Sequence, residues 1–186
     1  MNWVRVLFLG DSLTAGSRDR HGLSWPYYLA HLALADGITV LPELCARPGW
    51  TSGNLVRAAL PRISRSEATV GVILIGTNDA KDAYDTPLDM YLANLTLLAN
   101  WLQIAGKEPW LVTVPLPRGF GSFGYSRLLG ERLRQYNIAV RGSFGDSVIE
   151  AEDLGDYVDG VHFSLKGARA IAGAVWSALK RRHAFL

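Results

Sequence analysis

A single cysteine, Cys45, stands among 186 residues, so no intrachain disulfide is possible and the fold must be held by its core. A chain of this size buries about 70% of its unfolded surface, enough to dispense with disulfides or structural metals. An excess of charge of one sign is also lacking: 19 Lys and Arg against 17 Asp and Glu leave a net charge of +2. The basic residues are scattered except for Lys180-Arg181-Arg182-His183. That cluster reads as the last turn of a closing helix, where cations face the negative end of the helix dipole. A nucleic-acid partner is therefore not expected. Nor is integral membrane association, because no stretch approaches the roughly 18 apolar residues of a spanning helix. The apolar run Val6-Leu7-Phe8-Leu9 is cut by Gly10 and is too short for a secretory segment. A cytoplasmic protein is the expectation, with earlier removal of a leader left open. The phosphate-binding pattern Gly-x4-Gly-Lys-Ser is missing. His21 and His31 have no ligand spacing with Cys45 or nearby carboxylates, so no metal site is expected, and the chemistry read from the motifs below needs no cofactor.

What is present is an alternation of short apolar segments with longer amphipathic ones. Strands are expected at Val4–Leu9, Ile38–Cys45, Thr69–Ile75, Trp110–Val114 and Ser147–Glu150. Pro42 makes the second of these irregular or an edge strand, since proline cannot donate to a ladder. Thr69–Ile75 is apolar on both faces, as suits a central parallel strand covered on both sides. Helices are expected at Ser24–Ala35, Gly53–Ser64 (ended or kinked by Pro61), Thr86–Ala105, Tyr125–Val140 and Ser164–Arg182. Ser24, Thr86 and Ser164 read as N-caps. The stripe Leu88, Tyr91, Leu92, Leu95, Leu98, Ala99 and Leu102 recurs at helical spacing and reads as core. Strands alternating with helices imply one domain over residues 1–186. Its expected architecture is a three-layer α/β/α sandwich on a five-stranded, mostly parallel sheet. Such sheets bind ligands beyond the carboxyl ends of their strands.

Four polar motifs fall at those ends or in the last loop. Gly10-Asp11-Ser12-Leu13 follows the first strand and would present Ser12 as a nucleophile at a sharp turn. Asp159-Gly160-Val161-His162 precedes the last helix. His162 suits a base that takes a hydroxyl proton near neutral pH, and Asp159 could orient its imidazole. Gly76-Thr77-Asn78-Asp79 follows the strongest strand, and the Asn78 amide is a neutral donor for a developing oxyanion. Arg47-Pro48-Gly49-Trp50 follows the second strand, where Gly49 could offer a backbone N–H. Each motif alone also reads as an ordinary turn, with Asp11 and Asp79 bonding the backbone of their own turns. Together they supply the whole set that acyl transfer requires. Trp25, Trp50, Tyr84, Phe120 and Phe123 lie near these loops.

Taken in their order along the chain, the motifs resemble the blocks of the GDSL, or SGNH, hydrolase family. The resemblance implies a flavodoxin-like sandwich, Ser12 as nucleophile, His162 as base and Asp159 as its partner. It also implies an oxyanion hole made of the Ser12 and Gly49 N–H groups and the Asn78 side chain. Trp50 departs from the pattern, since many members carry a polar residue, often Asp, after the glycine. The expected activity is hydrolysis of small carboxylic esters, short-chain or acetyl, through an acyl-enzyme. The rival readings are a carbohydrate- or acyl-binding module on the same fold and a flavodoxin-like phosphate binder. The phosphate binder is disfavoured because Asp11 would repel the ligand.

Overall fold

The structure, a computed structural model, describes residues 2–21, 23–118 and 127–182. The first strand, β1 (Asn2–Gly10), runs into a one-turn helix, α1 (Ser12–Ala15), which the apolar pattern does not announce. Then follow α2 (Trp25–Ala35), β2 (Ile38–Ala46), α3 (Ser52–Arg65), β3 (Val70–Leu74) and α4 (Leu88–Ile104). The chain continues through β4 (Glu108–Val112), α5 (Arg127–Phe144), a short 3₁₀ turn, β5 (Val148–Ile149) and α6 (Leu165–Arg182). The five strands pair in the order β2-β1-β3-β4-β5, and every pairing is parallel. This is the flavodoxin-like order, with its switch point between β1 and β3. One face of the sheet carries α2 packed on α6; α3, α4 and α5 pack in sequence on the other.

The residue patterns explain the placement. β3 is buried at every position and lies in the middle of the sheet. β2 holds Pro42 and is an edge strand, pairing with β1 alone. Tyr91, Leu95, Leu98 and Leu102 of α4 are buried in the core, whereas Leu88 at its start is exposed. Trp25 anchors α2 by meeting Phe8 of β1 edge-on, ring centroids 5.0 Å apart. Such a pair adds about 0.5–1.5 kcal/mol beyond its area burial.

Several boundaries differ from the sequence reading, two of them for a visible reason. β4 ends at Val112 rather than Val114, because the Asn137 amide takes both backbone groups of Val114, at 2.7 and 2.9 Å. Pro87, not Thr86, is the N-cap of α4: its carbonyl accepts the Tyr91 N–H at 2.9 Å, while the Thr86 carbonyl accepts the Tyr136 hydroxyl. Pro61 lies inside α3 without ending it. The expected loop at residues 119–124 and the start of the fourth long helix, at Tyr125 and Ser126, lie outside the described residues. Among the described residues no helix is long and apolar enough to cross a membrane.

Candidate active site

Ser12 owes its position to the residues on either side of it. A Cβ on Gly10 would stand 2.3 Å from the Thr14 hydroxyl and 2.4 Å from the Leu74 carbonyl, so only glycine lets the chain leave β1 this tightly. Asp11 then caps α1, its Oδ1 accepting the Leu13 N–H at 2.9 Å. Ser12 is the first residue of the helix, at the carboxyl end of β1 and beside the switch point, with 7% of its surface open.

The Asp11 carboxyl is wholly buried and its Oδ2 has no hydrogen-bond partner. Burial pushes its pKa up from 3.8 to about 7; the Leu13 N–H and Lys81 oppose this and Asp79 adds to it. A pKa raised on folding contributes stability that is complete below the unfolded value and is lost as pH rises through the folded one. In Asp11→Asn the acceptor for Leu13 is kept and nothing ionises. The melting temperature of this variant, relative to the parent, should therefore rise between pH 5 and pH 8. An offset that stays constant over that range would show that Asp11 does not titrate there.

Asp159 and His162 form one compact unit in the loop before α6. Asp159 Oδ1 accepts the backbone N–H groups of Val161 and His162 at 3.1 and 2.8 Å, and Oδ2 lies 2.7 Å from His162 Nδ1. Burial raises the Asp159 pKa, but the hydrogen bonds from His162 and Val161 and the His162 charge outweigh it, holding the carboxyl below its usual range. The stability this provides is present above the unfolded carboxylate pKa and is lost as pH falls through the lowered value. Arg18 Nε stands 3.8 Å from the same Oδ2. Phe163, next to His162, lines one small cavity with Leu13, Gly16 and Ser17, which sets this loop beside the turn that carries Ser12.

Gly49 and Asn78 come from the loops after β2 and β3. The Trp50 N–H donates to the Arg47 carbonyl at 3.3 Å, closing a turn with Pro48 at its second position and Gly49, φ +81°, at its third. That is a type II turn, in which the third residue needs positive φ and its N–H takes no part in the turn's own bond. Asn78 is buried and donates one amide hydrogen to the Trp50 carbonyl at 2.9 Å. A primary amide has two hydrogens, so the second is left for another acceptor.

All the expected site residues thus lie at the carboxyl side of the sheet, and direct hydrogen bonds join the two pairs Asp159–His162 and Asn78–Trp50. Asp11 bonds its own turn as expected. Asp79 instead reaches across to Ser52 of α3, which sequence reasoning missed together with Asn94 and Arg18. The Thr51-x-x-Asn54 capping pattern marks the start of α3, but no local signal ties Ser52 to a residue 27 positions away. Of the aromatic residues near the site loops, Trp25 is core, Trp50 packs partly against it and Tyr84 is exposed. Phe120 and Phe123 lie outside the described residues.

The chain matches the GDSL-like Lipase/Acylhydrolase family over residues 8–170. No curated protein matches it. Among solved structures it is similar to the lipase/acylhydrolase from Enterococcus faecalis, with TM-score 0.81, 19% identity and coverage of 96% of each chain. It is also similar to Est24, a carbohydrate acetylesterase from Sinorhizobium meliloti, with TM-score 0.77, 20% identity and coverage of 97% of this chain and 100% of that one. A third is the inhibitor-bound aryl esterase of M. smegmatis, with TM-score 0.76, 19% identity and coverage of 96% and 99%. At these identities the structures speak for the shared fold, and the family match over most of the chain decides membership. The chain belongs to the GDSL-like lipase/acylhydrolase family and is an esterase of the GDSL type.

Proposed function

We propose that the protein hydrolyses small carboxylic esters, short-chain acyl or acetyl, by a two-step acyl-enzyme mechanism on Ser12. The observation that carries this reading is the 2.7 Å contact between His162 Nδ1 and Asp159 Oδ2, in a loop beside the Ser12 turn. A carboxylate accepts and cannot donate, so the imidazole proton sits on Nδ1 and Nε2 carries the lone pair that can act as base. His162 Nε2 takes the Ser12 proton as Oγ bonds to the ester carbonyl carbon. The carbonyl oxygen gains charge, held by the Ser12 and Gly49 N–H groups and the Asn78 amide. The alkoxide leaves with the proton from Nε2. Water then gives its proton to Nε2 and attacks the acyl carbon, and the acid departs as Ser12 regains its hydrogen. The small-ester assignment is supported by the carbohydrate acetylesterase and the aryl esterase among the similar structures.

A fluorophosphonate tests the nucleophile directly. Attack by Ser12 Oγ forms an O–P bond and expels fluoride, so intact-mass analysis should show one phosphonyl group per chain, mapped to the peptide that carries Ser12. A label on another residue, or none while the enzyme turns over p-nitrophenyl acetate, overturns the assignment. A series of p-nitrophenyl esters of rising chain length, assayed beside acetylated sugars, tests the substrate class. Activity that peaks on long acyl chains counts against small esters.

A further inference from the structure

The loops after β2 and β3 are joined by more than the Asn78–Trp50 bond. Asp79 directly follows Asn78 and is completely buried. Its two oxygens accept the Ser52 backbone N–H at 3.1 and 2.8 Å, and Oδ1 accepts the Ser52 hydroxyl at 2.6 Å. Ser52, also completely buried, is the first residue of α3 and stands three positions past Gly49. Its hydroxyl accepts in turn from the Asn94 amide of α4 at 2.9 Å. Residues 78 and 79 therefore hold residues 50 and 52 in a closed ring of hydrogen bonds, buried on its Ser52–Asp79 side. The carboxylate also sits at the N-terminus of α3, where the helix dipole favours an anion.

A helix cap would need only one of these bonds, and Thr51 already caps α3 with Asn54. The remaining function of the ring is geometric. Gly49 is in an exposed turn, where a Cβ would meet nothing within 4 Å, so no side-chain packing on that side adds to the turn's own hydrogen bond in placing it. Asn78 is buried in the next loop. Two oxyanion donors on separate loops need a fixed separation, because the hydrogen bonds have to fit where the oxyanion will be.

We propose that Asp79 is a positioning residue for the oxyanion donors: by gripping Ser52 it fixes the Gly49–Trp50 turn against Asn78. The proposal rests on the esterase reading above, with Gly49 and Asn78 as the donors. Asp79 acts through Ser52, and Asn94 holds the Ser52 hydroxyl from the other side. Loosening this ring lets the two donors drift apart. That costs stabilisation of the transition state and little of substrate binding, since the oxyanion exists only as the reaction proceeds.

The test is a kinetic double-mutant cycle on p-nitrophenyl acetate, run well below the melting temperature of every variant. Asp79→Asn replaces one acceptor oxygen by an amide and should lower kcat by roughly 10²-fold with KM within about twofold, the size of a small misplacement of catalytic groups. Ser52→Ala, a milder change that keeps the backbone bond to Asp79, should lower kcat by about tenfold with the same pattern. In an Asn78→Ala background Asp79→Asn should lower kcat by no more than about threefold, because one of the two donors whose separation it fixes has gone. A residue that merely stabilises the fold would slow both backgrounds equally, and that outcome overturns the proposal. So does a kcat within twofold of wild type in both Asp79→Asn and Ser52→Ala. Ser12→Ala, assayed alongside, separates the two claims. If it is inactive while the cycle is additive, the esterase reading stands and the positioning role falls. If Ser12→Ala stays active, the esterase reading itself has failed.

Discussion

Ser12→Ala should remove ester hydrolysis, lowering kcat by about 10⁶-fold, as loss of the nucleophile does in other serine hydrolases. The expected loss is this large because the groups left behind cannot form an acyl-enzyme. The Gly49 N–H and the Asn78 amide remain, and such donors alone still speed hydrolysis over water by about 10³–10⁴-fold. Structure should be spared. The Ser12 main-chain carbonyl accepts the Ser17 N–H at 3.0 Å, the Asp11 cap bonds the Leu13 N–H, and neither contact uses the Ser12 hydroxyl. The melting temperature should therefore stay close to wild type while initial rates on p-nitrophenyl acetate fall by about 10⁶-fold. Turnover within tenfold of wild type would place the nucleophile elsewhere.

Asp159→Asn should lower kcat by about 10⁴-fold near neutral pH while leaving the loop folded. The two oxygens of Asp159 have separate tasks. Oδ1 holds the Val161 and His162 backbone N–H groups, and Oδ2 receives His162 Nδ1. Asparagine keeps one acceptor and meets the backbone with it. Its amide nitrogen then faces Nδ1, donor against donor. The imidazole escapes by moving its proton to Nε2, the atom proposed to accept from Ser12, and the proposed base is lost. Rates of p-nitrophenyl acetate hydrolysis, beside circular dichroism, check both halves. A loss below about tenfold in a folded variant would mean that Asp159 does not set the tautomer.

The fold was legible where a local rule was strong. The doubly apolar run at Thr69–Ile75 holds the central strand, Val70–Leu74, and Pro42, read as the mark of an irregular or an edge strand, lies in the edge strand β2. Boundaries moved where a distant side chain competed for the backbone. Val114 reads as strand from its neighbours, yet the Asn137 amide, 23 residues on, takes its N–H and carbonyl. The one-turn helix at Ser12–Ala15 is too short for periodicity to show.

The four polar motifs and their order along the chain were set by the sequence by itself, and with them the family and the reaction type. Residue identity carries that much because a hydroxyl, an imidazole and a carboxylate each have one chemistry to offer. Tertiary structure alone decided how these groups are held. It buried Asp11 so that its carboxyl is pushed up to about 7, brought Arg18 to 3.8 Å from Asp159, and closed the ring of Asn78, Trp50, Ser52 and Asp79. Parallel strands bring residues 27 positions apart to one edge of a sheet, and burial there removes the water that would otherwise satisfy them. Neither effect is a property of any short stretch of chain.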